Sequence, residues 1–176
     1  MNDYIKSDLI RYYGEYSHST FFRAFLRNEV FRFQVALRLC NEKGVKRMIG
    51  NLFWKLSKTK NHIQIPREAK IGYGLYIAHG GPVIVHPTVV IGNNCNLSQF
   101  TTIGSNCGQA ATIGDNVYIG PNVCVVENVR IGNNVTIGAG SVVVKSIPDN
   151  ATAAGNYAKV LNFNHPARFI QNKWNS

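Results

Sequence analysis

The chain has 176 residues, 45% of them hydrophobic, and carries 19 Lys/Arg against 9 Asp/Glu for a formal net charge of +10 at pH 7. That length encloses a core without disulfide or metal staples, no apolar run is long enough to span a bilayer, and the positive charge comes with no recognised nucleic-acid motif. Cys40, Cys95, Cys107 and Cys124 show no metal-type pair spacing, and residues 1–6 lack the basic start and apolar stretch of a signal peptide, so reduced thiols in a cytoplasmic protein are expected.

Residues 1–62 form the first region, α-helical in pattern. Ser17 to Asn41 reads as helix, with Ser17 or Ser19 as N-cap and Phe21, Phe22, Phe25, Leu26, Val30, Phe33, Leu37 and Cys40 on one apolar side. A second helix has Val45, Met48, Ile49, Leu52, Phe53 and Leu56 at helical spacing, with Lys46, Arg47, Trp54, Lys55 and Lys58 between them. The simpler reading packs these apolar sides on each other and on the fold that follows. The sharper one makes a basic amphipathic surface that contacts anionic lipid at the inner face of a membrane, or a lipid-linked acceptor.

Residues 63–148 carry a six-residue beat of aliphatic side chains: Ile65, Ile71, Ile77, then Val85, Ile91, Leu97, Ile103, then Ile113, Ile119, Val125, Ile131, Ile137 and Val143. Six fits neither the helical period nor the alternation of a strand. It fits the hexapeptide repeat of a left-handed parallel β-helix, in which each aliphatic residue fills a triangular prism and three hexapeptides make a coil. The fold expected is therefore mainly β, with an α-helical N-terminal region. Gly92-Asn93-Asn94, Gly114-Asp115-Asn116 and Gly132-Asn133-Asn134 read as corners needing left-handed backbone. Residues 149–176 form a short C-terminal tail that caps the prism, with Phe163 to Trp174 packing back over the coils.

The beat breaks twice, and insertions in a solenoid build its binding face. The first break holds His79-Gly80-Gly81-Pro82 and the second spans residues 105–111. His79 sits among residues too small to bury it. Read from these residues alone it is either a proton acceptor or a surface or capping group. His86, between a repeat aliphatic and Pro87, reads as corner structure.

Gly74-Leu75-Tyr76-Ile77-Ala78-His79-Gly80-Gly81, the repeats, Ile137-Gly138-Ala139-Gly140-Ser141-Val142-Val143 and Ala153-Ala154-Gly155 resemble the hexapeptide-repeat acyltransferases of the serine acetyltransferase type. Asp8-Leu9-Ile10-Arg11-Tyr12-Tyr13 and Phe25-Leu26-Arg27-Asn28 are similar to the branch found in capsular and exopolysaccharide clusters. The resemblance implies a homotrimer with sites between subunits, acetyl-CoA as donor, no metal, and His79 as general base. It further implies oxyanion contacts at Gly104 and Ser105, and coenzyme A running past Gly120, Ala139, Gly140 and Ser141 toward Ala154 and Gly155, with Lys145 or Lys159 at its phosphates.

Serine enzymes of this type carry Asp directly before the catalytic His, an upstream Asp, and an Arg-His pair in the second loop. Here those places hold Ala78, Gln64 and the short loop 105–111. Loss of these charges predicts a neutral sugar hydroxyl as acceptor, held by Gln64, Asn106 and Gln109, in surface polysaccharide synthesis, with free L-serine a poor substrate. The alternatives are serine O-acetylation and a non-catalytic β-helix scaffold. A metal-dependent carbonic anhydrase would need more converging histidines than His79 and His86 provide.

Overall fold

The computed structural model describes residues 2–175, those at 58–61 by their backbone only, so the side chain of Lys58 lies outside the description, as do Met1 and Ser176. Four helices, α1 (Asp3–Tyr13), α2 (His18–Arg27), α3 (Glu29–Leu39) and α4 (Gly44–Asn61), precede a parallel β-helix. Its first wall stacks β1 (Ile63–Gln64), β4 (Val83–Val85), β7 (Thr102–Gly104), β10 (Cys124–Val126) and β13 (Val142–Val143). The second stacks β2 (Lys70–Ile71), β5 (Val90–Ile91), β8 (Thr112–Ile113) and β11 (Arg130–Ile131). The third stacks β3 (Tyr76–Ile77), β6 (Asn96–Leu97), β9 (Tyr118–Ile119), β12 (Thr136–Ile137) and β14 (Thr152–Ala154), with β15 (Lys159–Asn162) antiparallel at its end.

The six-residue beat is the core. Its members pair like over like: Ile77 with Leu97, Leu97 with Ile119, Ile119 with Ile137 on the third wall, and Val85 with Ile103, Ile103 with Val125, Val125 with Val143 on the first. All are buried except Ile71, which is half-buried. Both breaks in the beat fall at corners, so the extra residues loop outward and the aliphatic column continues undisturbed.

The corners divide their work differently from the sequence reading. In each Gly-Asn/Asp-Asn run the last residue takes the left-handed conformation, at Asn94 (φ 54°), Asn116 (φ 56°) and Asn134 (φ 57°). The middle residue accepts a hydrogen bond from the coil before it: Asp115 N–H donates to Asn133 Oδ1 at 2.8 Å and Asn133 N–H to Asp149 Oδ1 at 2.9 Å. The glycine is there for close approach. A Cβ on Gly114 would lie 2.6 Å from Asn133 Oδ1 and 2.9 Å from the carbonyl carbon of Gly132.

The expected helix over Ser17 to Asn41 is two helices, and α1 is an element that the apolar pattern did not single out. Ser17 is the N-cap, its hydroxyl accepting from Thr20 N–H at 3.0 Å. Asn28 ends α2 and starts α3: its own N–H bonds Ala24 O at 2.8 Å while its side chain accepts from Phe31 N–H at 3.0 Å. Helices α1 and α3 are fastened to the first coil by a buried ion pair. Arg38 Nε and Nη2 each lie 2.9 Å from Asp8, Nη1 and Nη2 reach the carbonyls of Ile71 and Gly72, and Asp8 accepts from Leu75 N–H at 2.8 Å. Helix α4 departs from the simpler expectation. Trp54 packs against the core and donates to Ile65 O at 3.0 Å, but Val45, Met48, Leu52 and Leu56 are more than half exposed, so this apolar row faces outward. Among the described residues no helix is long and apolar enough to cross a membrane.

Because the space at Gly114 is taken by the backbone of the next coil, Gly114→Ala is expected to lower stability by about 1–3 kcal/mol, as overpacked cores do. Thermal melts followed by circular dichroism check this against a substitution at Gly108, where a Cβ meets nothing within 4 Å but φ is 86°.

Candidate active site

His79 lies in the loop 78–82 that joins β3 to β4, at the edge where the third wall turns into the first. Its backbone is left-handed (φ 60°), and so is the next residue, Gly80, which matches the left-handed Phe100, Asn122 and Gly140 on the coils above; His79 adds a second left-handed residue to this corner. The imidazole is exposed and has no hydrogen-bond partner among the described residues. Gln99, Pro121, Ala139 and Gly155 occupy equivalent corner places on successive coils, because Ala78, Ser98, Gly120 and Gly138 donate to Leu97, Ile119, Ile137 and Ala153 in turn. Gly120, Ala139, Gly140, Ala154 and Gly155 therefore share one edge of the prism with His79. Four strand spacings from β3 to β14 make a track of about 19 Å along it.

Beside His79 is a cavity of about 360 Å³. Tyr76, Asn96, Ser98 and Tyr118 form its floor on the third wall, Gln99 and Pro121 line the corner, and Phe169, Gln171 and Asn172 of the tail close one side. Helix α1 supplies Arg11, 4% exposed, whose Nη1 donates to Asn94 O at 3.2 Å and whose Nη2 donates to Asn96 Oδ1. Its Nε has no partner, and neither has the buried Oε1 of Gln99. Burial pulls the Arg11 pKa below its ordinary value, yet a guanidinium stays protonated. A larger cavity, about 580 Å³, lies between α3 and the first coil around Tyr4, Arg38 and Glu68. It is remote from His79 and holds no group suited to proton transfer at neutral pH, so the smaller one is the candidate.

The remaining predicted residues lie elsewhere in the protomer. Gly104 ends β7, and Ser105, Asn106 and Gln109 follow it at the edge between the first and second walls, a different edge from that of His79. Glu127 on the next coil pins this loop: its carboxylate accepts from Ser105 Oγ at 2.8 Å, Asn106 N–H at 3.1 Å and Cys107 N–H at 3.3 Å. These bonds, Asn106 N–H foremost, hold the Glu127 carboxyl below the ordinary range. Gln64 is exposed on the first wall among Trp54, Pro66 and Ile84. Ser141 is fully buried, its hydroxyl donating to Gly138 O at 2.6 Å and accepting from Gly155 N–H at 3.1 Å, so it shapes the corner. Lys145 and Lys159 are exposed. His86 is corner structure, Nδ1 lying 3.0 Å from Thr88 Oγ1.

Arg11, Gln99, Asn96 and the tail residues were not singled out as site residues from the sequence. Asn96 and Ser98 flank a buried aliphatic residue, which by strand alternation turns both outward toward whatever covers the third wall. Arg11 gave a weaker signal, a basic residue three and four places after Asp8 and Ser7 and so on their polar side of α1, which the fold buries. Among the described residues no group of three or more His, Cys, Asp or Glu is placed to hold a metal ion.

Comparison with known proteins agrees with the fold. The family described as bacterial transferase hexapeptide (six repeats) matches residues 110–145. Serine acetyltransferase 3, mitochondrial, of Arabidopsis thaliana is 41% identical over 97 residues, covering 53% of this chain and 25% of that protein. A serine acetyltransferase of Synechococcus elongatus is 34% identical over 118 residues, covering 65% of this chain and 48% of that one. The crystal structure of a Neisseria gonorrhoeae serine acetyltransferase in complex with serine superposes with a TM-score of 0.68 at 28% identity, over 89% of this chain and 67% of that one. The chain thus spans half or less of these two curated relatives. These likenesses support the hexapeptide-repeat, β-helical serine acetyltransferase family and give no support to a capsular or exopolysaccharide branch.

The depressed pKa of Glu127 sets the sign of a pH effect on the loop 105–111. The tether is complete above the ordinary carboxylate value and is lost as pH falls through the lowered value of the folded state. Amide exchange at Asn106 and Cys107, normalised to intrinsic rates, is expected to be slow at neutral pH and to quicken on acidification. In Glu127→Ala it is expected to be fast throughout.

Proposed function

We propose that this protein is an acetyl-CoA-dependent serine O-acetyltransferase. The observation that carries the reading is the likeness to serine acetyltransferases at 34–41% identity over 97–118 residues. This corrects the expectation of a sugar acceptor in polysaccharide synthesis. Ala78, Gln64 and the loop 105–111 do lack charge, but charge need not come from those places. Helix α1 delivers the Arg11 guanidinium into the His79 cavity, where a neutral sugar would leave it uncompensated.

In this reading a neutral His79 imidazole accepts the proton of the serine hydroxyl as its oxygen attacks the thioester carbonyl of acetyl-CoA. The tetrahedral intermediate collapses, the C–S bond breaks, and the imidazolium returns the proton to the departing thiolate. The donor's arm follows the shared edge past Gly120, Ala139 and Gly140 toward Gly155. Lys145 and Lys159, both exposed, are candidates for its phosphates.

The oxyanion contacts assigned to Gly104 and Ser105 lie on another edge of the prism from His79. A homotrimer resolves this, because a closed head-to-tail ring sets one edge of each protomer against a different edge of its neighbour. On this reading each site is completed by two subunits.

His79→Ala is expected to cut turnover by roughly two to four orders of magnitude while leaving the fold intact; near-normal activity in the folded variant removes His79 from the mechanism. Light-scattering molar mass is expected to give a trimer, and a stable, fully active monomer contradicts sites shared between subunits. Acetyl-CoA consumption measured side by side with L-serine and a panel of saccharides is expected to favour serine.

A further inference from the structure

We propose that Arg11 and Gln99 form the acceptor subsite of the His79 cavity, the Arg11 guanidinium receiving the carboxylate of an α-amino acid and the Gln99 side-chain carbonyl its ammonium. The proposal rests on the serine reading and names residues to which the resemblance assigned no role.

Arg11 is held in place by its helix. The Asp8–Arg38 pair and the Ser7 hydroxyl, which accepts from Gly74 N–H at 2.9 Å, fix α1 against the first coil, and one turn beyond Asp8 the chain inserts Arg11 into the cavity. A guanidinium carries five N–H donors. The protein supplies it two neutral acceptors, Asn94 O and Asn96 Oδ1, and leaves Nε with none. The nearest buried carboxylate, Asp8, is already bidentate with Arg38. Arg11 is thus a buried cation with no anion of its own, in a cavity open to a ligand, and a planar carboxylate is the group that a guanidinium fork fits.

The second orphan lines the same cavity. Gln99 occupies the corner one coil above His79, and its Oε1 is buried without a donor. An ammonium group has three N–H donors to offer it. A group for an anion, a group for a cation and the imidazole in one cavity are the set that serine's three polar groups require. At ~30 Å³ per water, the cavity holds about a dozen waters' worth of space, enough for an amino acid and the acetyl end of the donor.

A purely structural Arg11, fastening α1 to the corner, would affect every acceptor alike. The test therefore measures kcat/KM of the full chain for L-serine, ethanolamine, which lacks the carboxylate, and 3-hydroxypropionate, which lacks the ammonium. The unvaried protein is expected to prefer serine over ethanolamine by about a hundredfold, and Arg11→Met to shrink that ratio at least tenfold. Gln99→Leu is expected to shrink the serine to 3-hydroxypropionate ratio about three- to tenfold with little change in the serine to ethanolamine ratio. Equal losses on serine and ethanolamine in folded Arg11→Met overturn the proposal, as does an unchanged ratio. If Arg11→Met fails to fold, Arg11→Lys, which keeps the charge and removes the fork, is read by the same ratio. If no acceptor turns over, the reaction assigned above falls by itself. Calorimetry with L-serine then decides the subsite: binding that is lost in the Arg11 variant keeps it, and no binding removes it.

Discussion

Parallel register is the constraint from which the rest of this molecule follows. Each strand can hydrogen-bond only if its residues sit directly over those of the coil before, so every coil must return its aliphatic side chain to the same column. Coil length can then vary only where the chain leaves the ladder. That is why both insertions emerge at prism edges, and why the corners carry an asparagine and aspartate ladder that passes backbone N–H bonds from coil to coil. A wall of two- and three-residue strands has little freedom to slip, since the corner glycines Gly72, Gly92, Gly114 and Gly132 are packed against the next coil's backbone.

The helical region converts that rigid prism into something with a recess. Asp8 and Arg38 are nearly inaccessible to solvent, and such a pair contributes position more dependably than it contributes stability. Its partners, the carbonyls of Ile71 and Gly72 and the amide of Leu75, are the backbone groups that the first coil would otherwise leave unsatisfied at its open end. Tyr4 stacked on Tyr73 at 4.2 Å and Tyr12 bonded to the backbone of Ile77 extend the same contact toward His79. Thus the cap that closes the core also aligns the wall of the cavity.

The prism was legible because its signal is local and repeated: a period of six, written many times, survives two interruptions. His79 was legible because it sits in one of those interruptions. The character of the acceptor site was not. Arg11 and Gln99 are separated by most of the helical region and the first coil, and their meeting depends on how α1 docks, which no short-range pattern encodes. The charge balance around His79 was judged from Ala78, Gln64 and the second loop, near in sequence or known from motif, and that judgement pointed to a sugar. Ser17 to Asn41 reads from its pattern as a single helix, and the simpler reading turns the apolar rows of the helical region inward. Asn28 interrupts that helix, and the row on α4 is largely exposed while Trp54 provides a contact with the prism.

The tail returns along the third wall, where Ala167 N–H donates to Asn134 O at 2.8 Å and Trp174 exchanges backbone bonds with the Asn94 side chain at 2.8 and 3.1 Å. Asn172 Nδ2 reaches the carbonyl of Arg11 at 3.5 Å, so segments from opposite ends of the sequence share one lining. During synthesis the coils can stack as they leave the ribosome, each upon the last. The recess beside His79 cannot, since the segment that encloses it follows all of the coils in the sequence. The scaffold is built coil upon coil, while the enclosure waits for a segment that belongs to none of them.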